Sequence, residues 1–305
     1  MRKFGLALAA VSFAVLMSLS AVAQTLDSLP FNKKLALAKA GDEEAQMAVA
    51  DAYGSGKGVK LSKVEASKWY GKASDQGNAE AQFKLATLFH EGAPGIKKSP
   101  ERAAKLYAAA AKQGHIEAEN WLGYCYEHGL GVAQNDTTAV EWYQKAADGK
   151  LAMAENNLGL MYLNGKGVAQ DYRKAFELFE RSANQGYDWG MNNLGGLYEK
   201  GWGTEPDPAK ALALYRQAAA KGNDAAGKSA KRLAPLVIQS ESNPAVEPAG
   251  GAPDKPTTTT TTPPSSAATT GSITPPPLSA ANPLAAKPKL PPMPEKKVKS
   301  DSSAE

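Results

Sequence analysis

"NNLGLMYLNGKGV", residues 156–168, joins an amide pair, an apolar run and two spaced glycines, and its lettering returns as "NWLGYCYEHGLGV" from 120 and "NNLGGLYEKGWGT" from 192. Glycines spaced in this way suggest a phosphate cradle. A true phosphate loop follows a strand and carries lysine and a hydroxyl residue in G-x-x-x-x-G-K-[ST], which the chain lacks. Recurrence of the stretch makes the glycines architecture.

Aligned on the apolar pattern, the repeat starts at Ala45, Ala81, Ala118, Ala154 and Gly190, at intervals of 36, 37, 36 and 36 residues. The longer interval comes from Ala93-Pro94, which stands between Gly92 and Gly95 where other units carry one residue. A period of this size with two helical segments per unit predicts a helical solenoid. Four residues after each start stands Val49, Leu85, Leu122, Leu158 or Leu194, and four further on Tyr53, Phe89, Tyr126, Tyr162 or Tyr198, which puts both on one face of a first helix. Between them lie Ala50, Ala86, Gly123, Gly159 and Gly195, all small enough for a close helix neighbour.

The glycine pairs end the first helix and permit positive φ. Ser62, Ser99, Asn135, Asp171 and Asp207 follow as N-caps, with Pro100 and Pro208 at the first helical position of two units. Trp69-Tyr70, Leu106-Tyr107, Trp142-Tyr143, Leu178-Phe179 and Leu214-Tyr215 anchor the second helix, which ends near Gly77, Gly114, Gly149, Gly186 and Gly222.

The ends differ in kind from this middle. Arg2 and Lys3 precede an apolar stretch from Phe4 to Leu19, and Ala21-Val22-Ala23 supplies small residues for a signal peptidase. The expectation is cleavage between Ala23 and Gln24, then export, with no integral membrane segment left after cleavage. Cys125 has no intramolecular disulfide partner, so stability rests on packing. The leader carries two of the four net positive charges, and the near-neutral remainder argues against nucleic acid as a partner. Fourteen of the twenty prolines lie between Pro244 and Pro294, with the run Thr257 to Thr262 and no Phe, Tyr or Trp. Such a segment buries too little apolar surface to offset its ordering entropy and reads as disordered. The expected domains are leader 1–23, capping half-repeat 24–40, repeats 41–78, 79–115, 116–150, 151–187 and 188–223, capping helix 224–240 and tail 241–305.

The pattern A-x-x-x-L-G-x-x-Y-x-x-G-x-G-V, then an Asp or Ser cap, an aromatic pair and A-A-x-x-G, resembles the Sel1-like repeat family, relatives of tetratricopeptide repeats. Departures are mild: Ala50 and Ala86 stand for glycine, Gly190 for alanine and Thr204 for valine. The resemblance implies an all-α, right-handed α-solenoid of helix-turn-helix repeats whose first helices line the concave side. It also implies a non-enzymatic protein-interaction adaptor, here of the bacterial cell envelope, periplasmic or secreted.

Some exported, cysteine-rich relatives are described as β-lactamases or binders of penicillin-like compounds, so a cell-wall or β-lactam hydrolase is the alternative, with a secreted host-interaction factor as a third reading. The chain has no S-x-x-K, S-D-N or K-T-G and no cysteine pair, which weighs against a serine enzyme. No cofactor or metal is expected. His90, His115 and His128 share no repeat position and form no metal spacing, and they read as surface or partly packed side chains. Cys125 sits where other units carry Ala52, Leu88, Met161 and Leu197, and it reads as a buried, inert thiol.

The candidate partner-binding residues are Asn120, Trp121, Tyr124, Asn156, Asn157, Trp189, Asn192 and Asn193. Asparagine is a poor helix-interior residue, so five in three consecutive units need a reason. They either brace one repeat against the next or grip a peptide backbone, since an amide both donates and accepts. Five layers at about 10 Å each give a groove of roughly 40 to 50 Å, room for about 12 to 15 extended residues. Trp202 reads either as an anchor for a partner or as packed on the C-terminal cap. In the tail, Lys287, Lys289, Lys296, Lys297 and Lys299 stand among prolines and would attract anionic envelope surfaces.

Overall fold

The computed structural model describes residues 26–242, so the expected leader and nearly all of the tail, with its lysines, lie outside the described residues. The described residues are helical and fall into two compact units, one up to Leu178 and one from Phe179 on. In the first unit, α1 (Phe31–Lys39) precedes the pairs α2 (Glu43–Ser55) with α3 (Lys63–Asp75), α4 (Ala79–Glu91) with α5 (Pro100–Ala111) and α6 (Ile116–His128) with α7 (Asp136–Asp148), then α8 (Ala152–Asn164). Helix α9 (Tyr172–Asn184) contains the boundary. The second unit holds α10 (Asp188–Lys200), α11 (Pro208–Ala220) and α12 (Asp224–Ser242).

Within each unit a helix packs on the next one in the chain, which joins each pair internally and to its neighbour. The spacing explains the burial. Ala45, Ala81, Ala118 and Ala154 are wholly enclosed, and Val49, Leu122 and Leu158 lie four residues on along the same buried face. From the facing helices Tyr107, Tyr143 and Phe179 point inward as the largest enclosed side chains. The small position on the first helix has a local cause: a Cβ on Gly123 would stand 2.8 Å from the Tyr143 ring, and one on Gly195 would stand 3.0 Å from the Tyr215 ring. The close neighbour is therefore the second helix of the same repeat.

All five expected caps of the second helix form. Ser62, Ser99, Asn135, Asp171 and Asp207 accept the backbone N–H three residues on, at 3.2, 3.4, 3.0, 2.9 and 2.9 Å.

The second turn glycine sets the distance between repeats. A Cβ on Gly131 would lie 2.1 Å from the Pro100 carbonyl oxygen, and one on Gly167 would lie 2.3 Å from the Asp136 carbonyl carbon. Each turn thus presses on the first residue of the preceding second helix, so close that only glycine fits. The insertion in the second repeat moves the contact from the first residue of the helix to the second. Ala93 and Ile96 exchange backbone hydrogen bonds at 3.0 and 2.7 Å around Pro94-Gly95, which closes the extra residue into a tight turn. Gly95 still comes to 2.7 Å, as measured from its would-be Cβ, of Val64 on α3. Gly58 of the first repeat meets nothing within 4 Å.

The third repeat departs at its far end. Elsewhere a left-handed glycine follows the second helix, as at Gly77 (φ 100°), Gly114 (φ 80°), Gly186 (φ 83°) and Gly222 (φ 94°). In "ADGKL" the glycine comes one position early: Gly149 caps α7 at φ −72°, and the left-handed place falls to Lys150 at φ 61°. Ile116 fills the space beside Gly149, 2.9 Å from a would-be Cβ, so the glycine serves packing and the exposed lysine carries the strain. Lys150→Gly is expected to stabilise the fold by about 1 kcal/mol, a rise of about 2–4 °C in thermal midpoint for a chain of this size. Differential scanning calorimetry reads the shift directly.

Candidate functional site

The second and third residues after each repeat start were the positions expected to face a partner. In the first unit the structure brings Asn120, Asn156 and Asn157 into one chain of amides. Asn156 Nδ2 donates to Asn157 Oδ1 at 3.4 Å, Asn157 Nδ2 donates to Asn120 Oδ1 at 3.0 Å, and Asn120 Nδ2 points at Met153 Sδ at 3.4 Å. Asn120 and Asn156 are 1% and 0% exposed, while Asn157 is half-buried. The amides therefore stitch α6 to α8, and of the three only Asn157 keeps a surface. In the second unit Asn192 Nδ2 donates to Asn193 Oδ1 at 3.3 Å, and both residues are buried beside a half-buried Trp189. Four of the five asparagines thus sit inside the wall, where a buried amide needs partners and finds them in other amides and neighbouring groups.

Trp121 and Tyr124 stand on α6 in a run of rings. Trp121 is buried and stacks on Tyr107 at 5.7 Å with an interplanar angle of 11°, and its edge meets Tyr124 at 5.8 Å. Tyr124 is half-buried and leans on His128 at 4.0 Å. His90 of α4 closes the group, 5.0 Å from Trp121 and 6.3 Å from Tyr124. Burial, followed by the charge of Lys98, pushes the His90 imidazole below its usual value. Burial, followed by Glu127, pushes the Tyr124 phenol above its own. Tyr124 therefore keeps its proton and remains a hydrogen-bond donor. Cys125, on the inner side of the same helix, is 1% exposed, and burial pushes its thiol up to about 12, so it stays unreactive.

Sequence reasoning left this ring cluster undivided because His90 and His128 occupy different repeat positions. The signal available was that both follow an aromatic residue of the same helix, Phe89 and Tyr126, by one or two positions. It also missed a glutamine lattice in the first two repeats. Gln76 Nε2 donates to Gln46 Oε1 at 2.9 Å and Gln113 Nε2 to Gln82 Oε1 at 2.9 Å, with second bonds to the carbonyls of Gly41 and Gly77. Recurrence of glutamine one residue after the repeat start and again before the closing glycine was the trace it left. Repeats three and four carry Glu119 and Glu155 there instead, both buried, and desolvation pushes the Glu119 carboxyl above its usual range.

Trp202 is half-buried, with the Lys200 ammonium 4.2 Å from its ring centroid. In the same unit Glu199 ties α12 to α10 and α11, since Arg232 reaches it at 2.7 Å and the Tyr215 hydroxyl donates to it at 2.9 Å. No helix of the described residues is long and apolar enough to cross a membrane.

The bracing role of the amides predicts a stability cost. Asn120→Ala leaves the Asn157 amide without its acceptor and should cost about 1–3 kcal/mol in chemical denaturation. Exposed Asn184→Ala should stay within about 0.5 kcal/mol.

Comparison with known proteins agrees with this architecture. The Sel1 repeat family model matches residues 43–78, 79–115, 116–151, 152–187 and 190–223. A protective antigen present in uropathogenic Escherichia coli strains and displaying an SLR fold is 34% identical with a TM-score of 0.61, over 67% of this chain and 43% of that one. The chain thus spans less than half the length of that relative. A Sel1 repeat protein from Oxalobacter formigenes is 31% identical with a TM-score of 0.60, over 66% of this chain and 86% of that one. No curated protein matches the chain. Sel1 repeats generally serve as protein-interaction scaffolds. Five consecutive matches, on the pairs α2–α3 to α10–α11 with their capped second helices, establish that the chain belongs to the Sel1 repeat family.

Proposed function

We propose that this Sel1 repeat chain is a non-enzymatic adaptor of the bacterial cell envelope, holding a protein or extended peptide against the faces of its first helices. The observation that carries the reading is the pairing of a braced wall with partly exposed side chains in front of it. Asn157 locks α8 to α6 through Asn120, with Asn156 bonded behind it, and Tyr124 and Asn157 also stand half-buried on those helices. A rigid wall lowers the entropy a ligand loses on docking, because the protein side is already ordered. Tyrosine suits such a face, offering a large flat ring and one hydroxyl at little conformational cost. Tyr124 offers its phenol as a donor and Asn157 an amide that serves a peptide bond in either direction.

Export is part of the proposal and draws on the leader-like residues 1–23, with support from the likeness to a protective antigen of uropathogenic E. coli. The lysines from Lys287 to Lys299 would hold the chain near anionic envelope surfaces.

The test compares capture by the wild-type chain and by Tyr124→Ala with Asn157→Ala, using crosslinking in cells and quantitative mass spectrometry. Proteins enriched by the wild type should fall at least five-fold with the double variant, while far-ultraviolet circular dichroism stays unchanged and Asn120→Ala, which cuts the same brace from the buried side, keeps capture at the wild-type level. An identical set of captured proteins at identical yield would overturn the reading.

A further inference from the structure

The N-caps of several helices also tie each helix to the one two before it. At three positions, two before repeats and one before the closing helix α12, this residue performs two tasks at once. Asn78 Oδ1 accepts the Ala81 N–H at 2.7 Å, and its Nδ2 donates to Glu43 of the preceding first helix at 2.6 Å. Asn223 repeats the arrangement, accepting from Ala226 at 2.9 Å and donating to Asp188 at 2.9 Å. Both are amides and neither titrates.

Between the second and third repeats the same position is His115. Its Nδ1 accepts the Ala118 N–H at 3.3 Å, and its Nε2 lies 3.0 Å from Glu80 Oε2. The two contacts fix the tautomer: Nδ1 is the bare nitrogen, and Nε2 carries the proton that Glu80 receives. The ring is held by stacking on Phe83 at 4.6 Å and an angle of 30°, with the side chain 11% exposed. A protonated imidazole has no bare nitrogen. A proton added at Nδ1 removes the acceptor for Ala118 and creates a donor, which finds Glu117 Oε2 at 3.5 Å.

We propose that His115 is a proton-sensitive cap, which on acidification releases the Ala118 N–H and turns to Glu117, loosening the first turn of α6. Nδ1 takes up one proton from solvent, and Nε2–H stays on Glu80. The groups facing the ring are Glu80, with its partner Lys84, from α4, and Glu117 and Glu119 from α6; Lys145 and Asp148 of α7 act on Glu119. Glu80 persists as acceptor through the change, because the His115 hydrogen bond, opposed by burial and aided by Lys84, holds its carboxyl down to about 2. The loosened turn precedes Trp121 and Tyr124 by one and two helical turns, so the device regulates the face assigned above to partner capture and rests on that reading for its purpose. The change at Ala118 is independent of it.

The experiment is nuclear magnetic resonance on the full chain labelled with ¹⁵N, titrated with acid from pH 7.5. At pH 7.5 the His115 ring should show a protonated Nε2 and a bare Nδ1. As acid is added and the ring ¹⁵N signals show both nitrogens protonated, the exchange protection of the Ala118 amide should drop at least ten-fold. His115→Asn, which copies Asn78 and Asn223, should keep the Ala118 amide equally protected throughout the titration. An Ala118 amide indifferent to pH in the wild type, or one that responds equally in His115→Asn, would overturn the proposal. Because no partner is present, a failure here is separate from a failure of capture by Tyr124.

Discussion

The closest approach in the stack is made by backbone alone. In the third and fourth repeats the second turn glycine lies against the first residue of the preceding second helix, at Gly131 on Pro100 and at Gly167 on Asp136. Side chains can repack around a change of size, whereas two backbones in contact cannot. The contact spans 31 positions in both cases, and Gly95 meets the side chain of Val64 at the same interval. The second repeat takes its extra residue before Gly95, within this span, and its contact moves one position along the helix, to the side chain of Val64.

Given that spacing, polar groups trapped between helices pair with one another, with different chemistry along the chain. Glutamine pairs serve the first two repeats and an amide chain serves the junction of α6 and α8. The histidine cap joins α4 to α6. Charged groups add to the same seams, as where Lys84 reaches across from α4 to Asp51 of α2 at 2.7 Å, and Tyr70 donates to that carboxylate at 2.5 Å.

The repeat period, the capped second helices and the inert thiol were legible because each follows from one position recurring in register. The asparagines were legible as unusual, and bracing was one of the two roles they suggested. Their burial was not, since the tilt of one repeat on the next decides whether the second residue after the start points into the seam or out of it. Lys150 escaped because "DGKL" and "NQGY" hold the same residue classes and differ only in order. The double duty of His115 was hidden for a related reason: its partner Glu80 is 35 positions away and appears only when two first helices stand side by side.

The most direct measurement of the central claim sets Gly167→Ala against Gly114→Ala, two changes at positive φ that differ in what a Cβ would meet. At Gly114 it meets nothing within 4 Å, and at Gly167 it meets the backbone of Asp136 and Thr137. Gly114→Ala should cost roughly 1–2 kcal/mol from backbone conformation alone. Gly167→Ala should cost clearly more in denaturant unfolding and speed amide exchange at the start of α7 as well as in its own turn. Equal losses from the two substitutions, with exchange at α7 unaltered, would contradict the account.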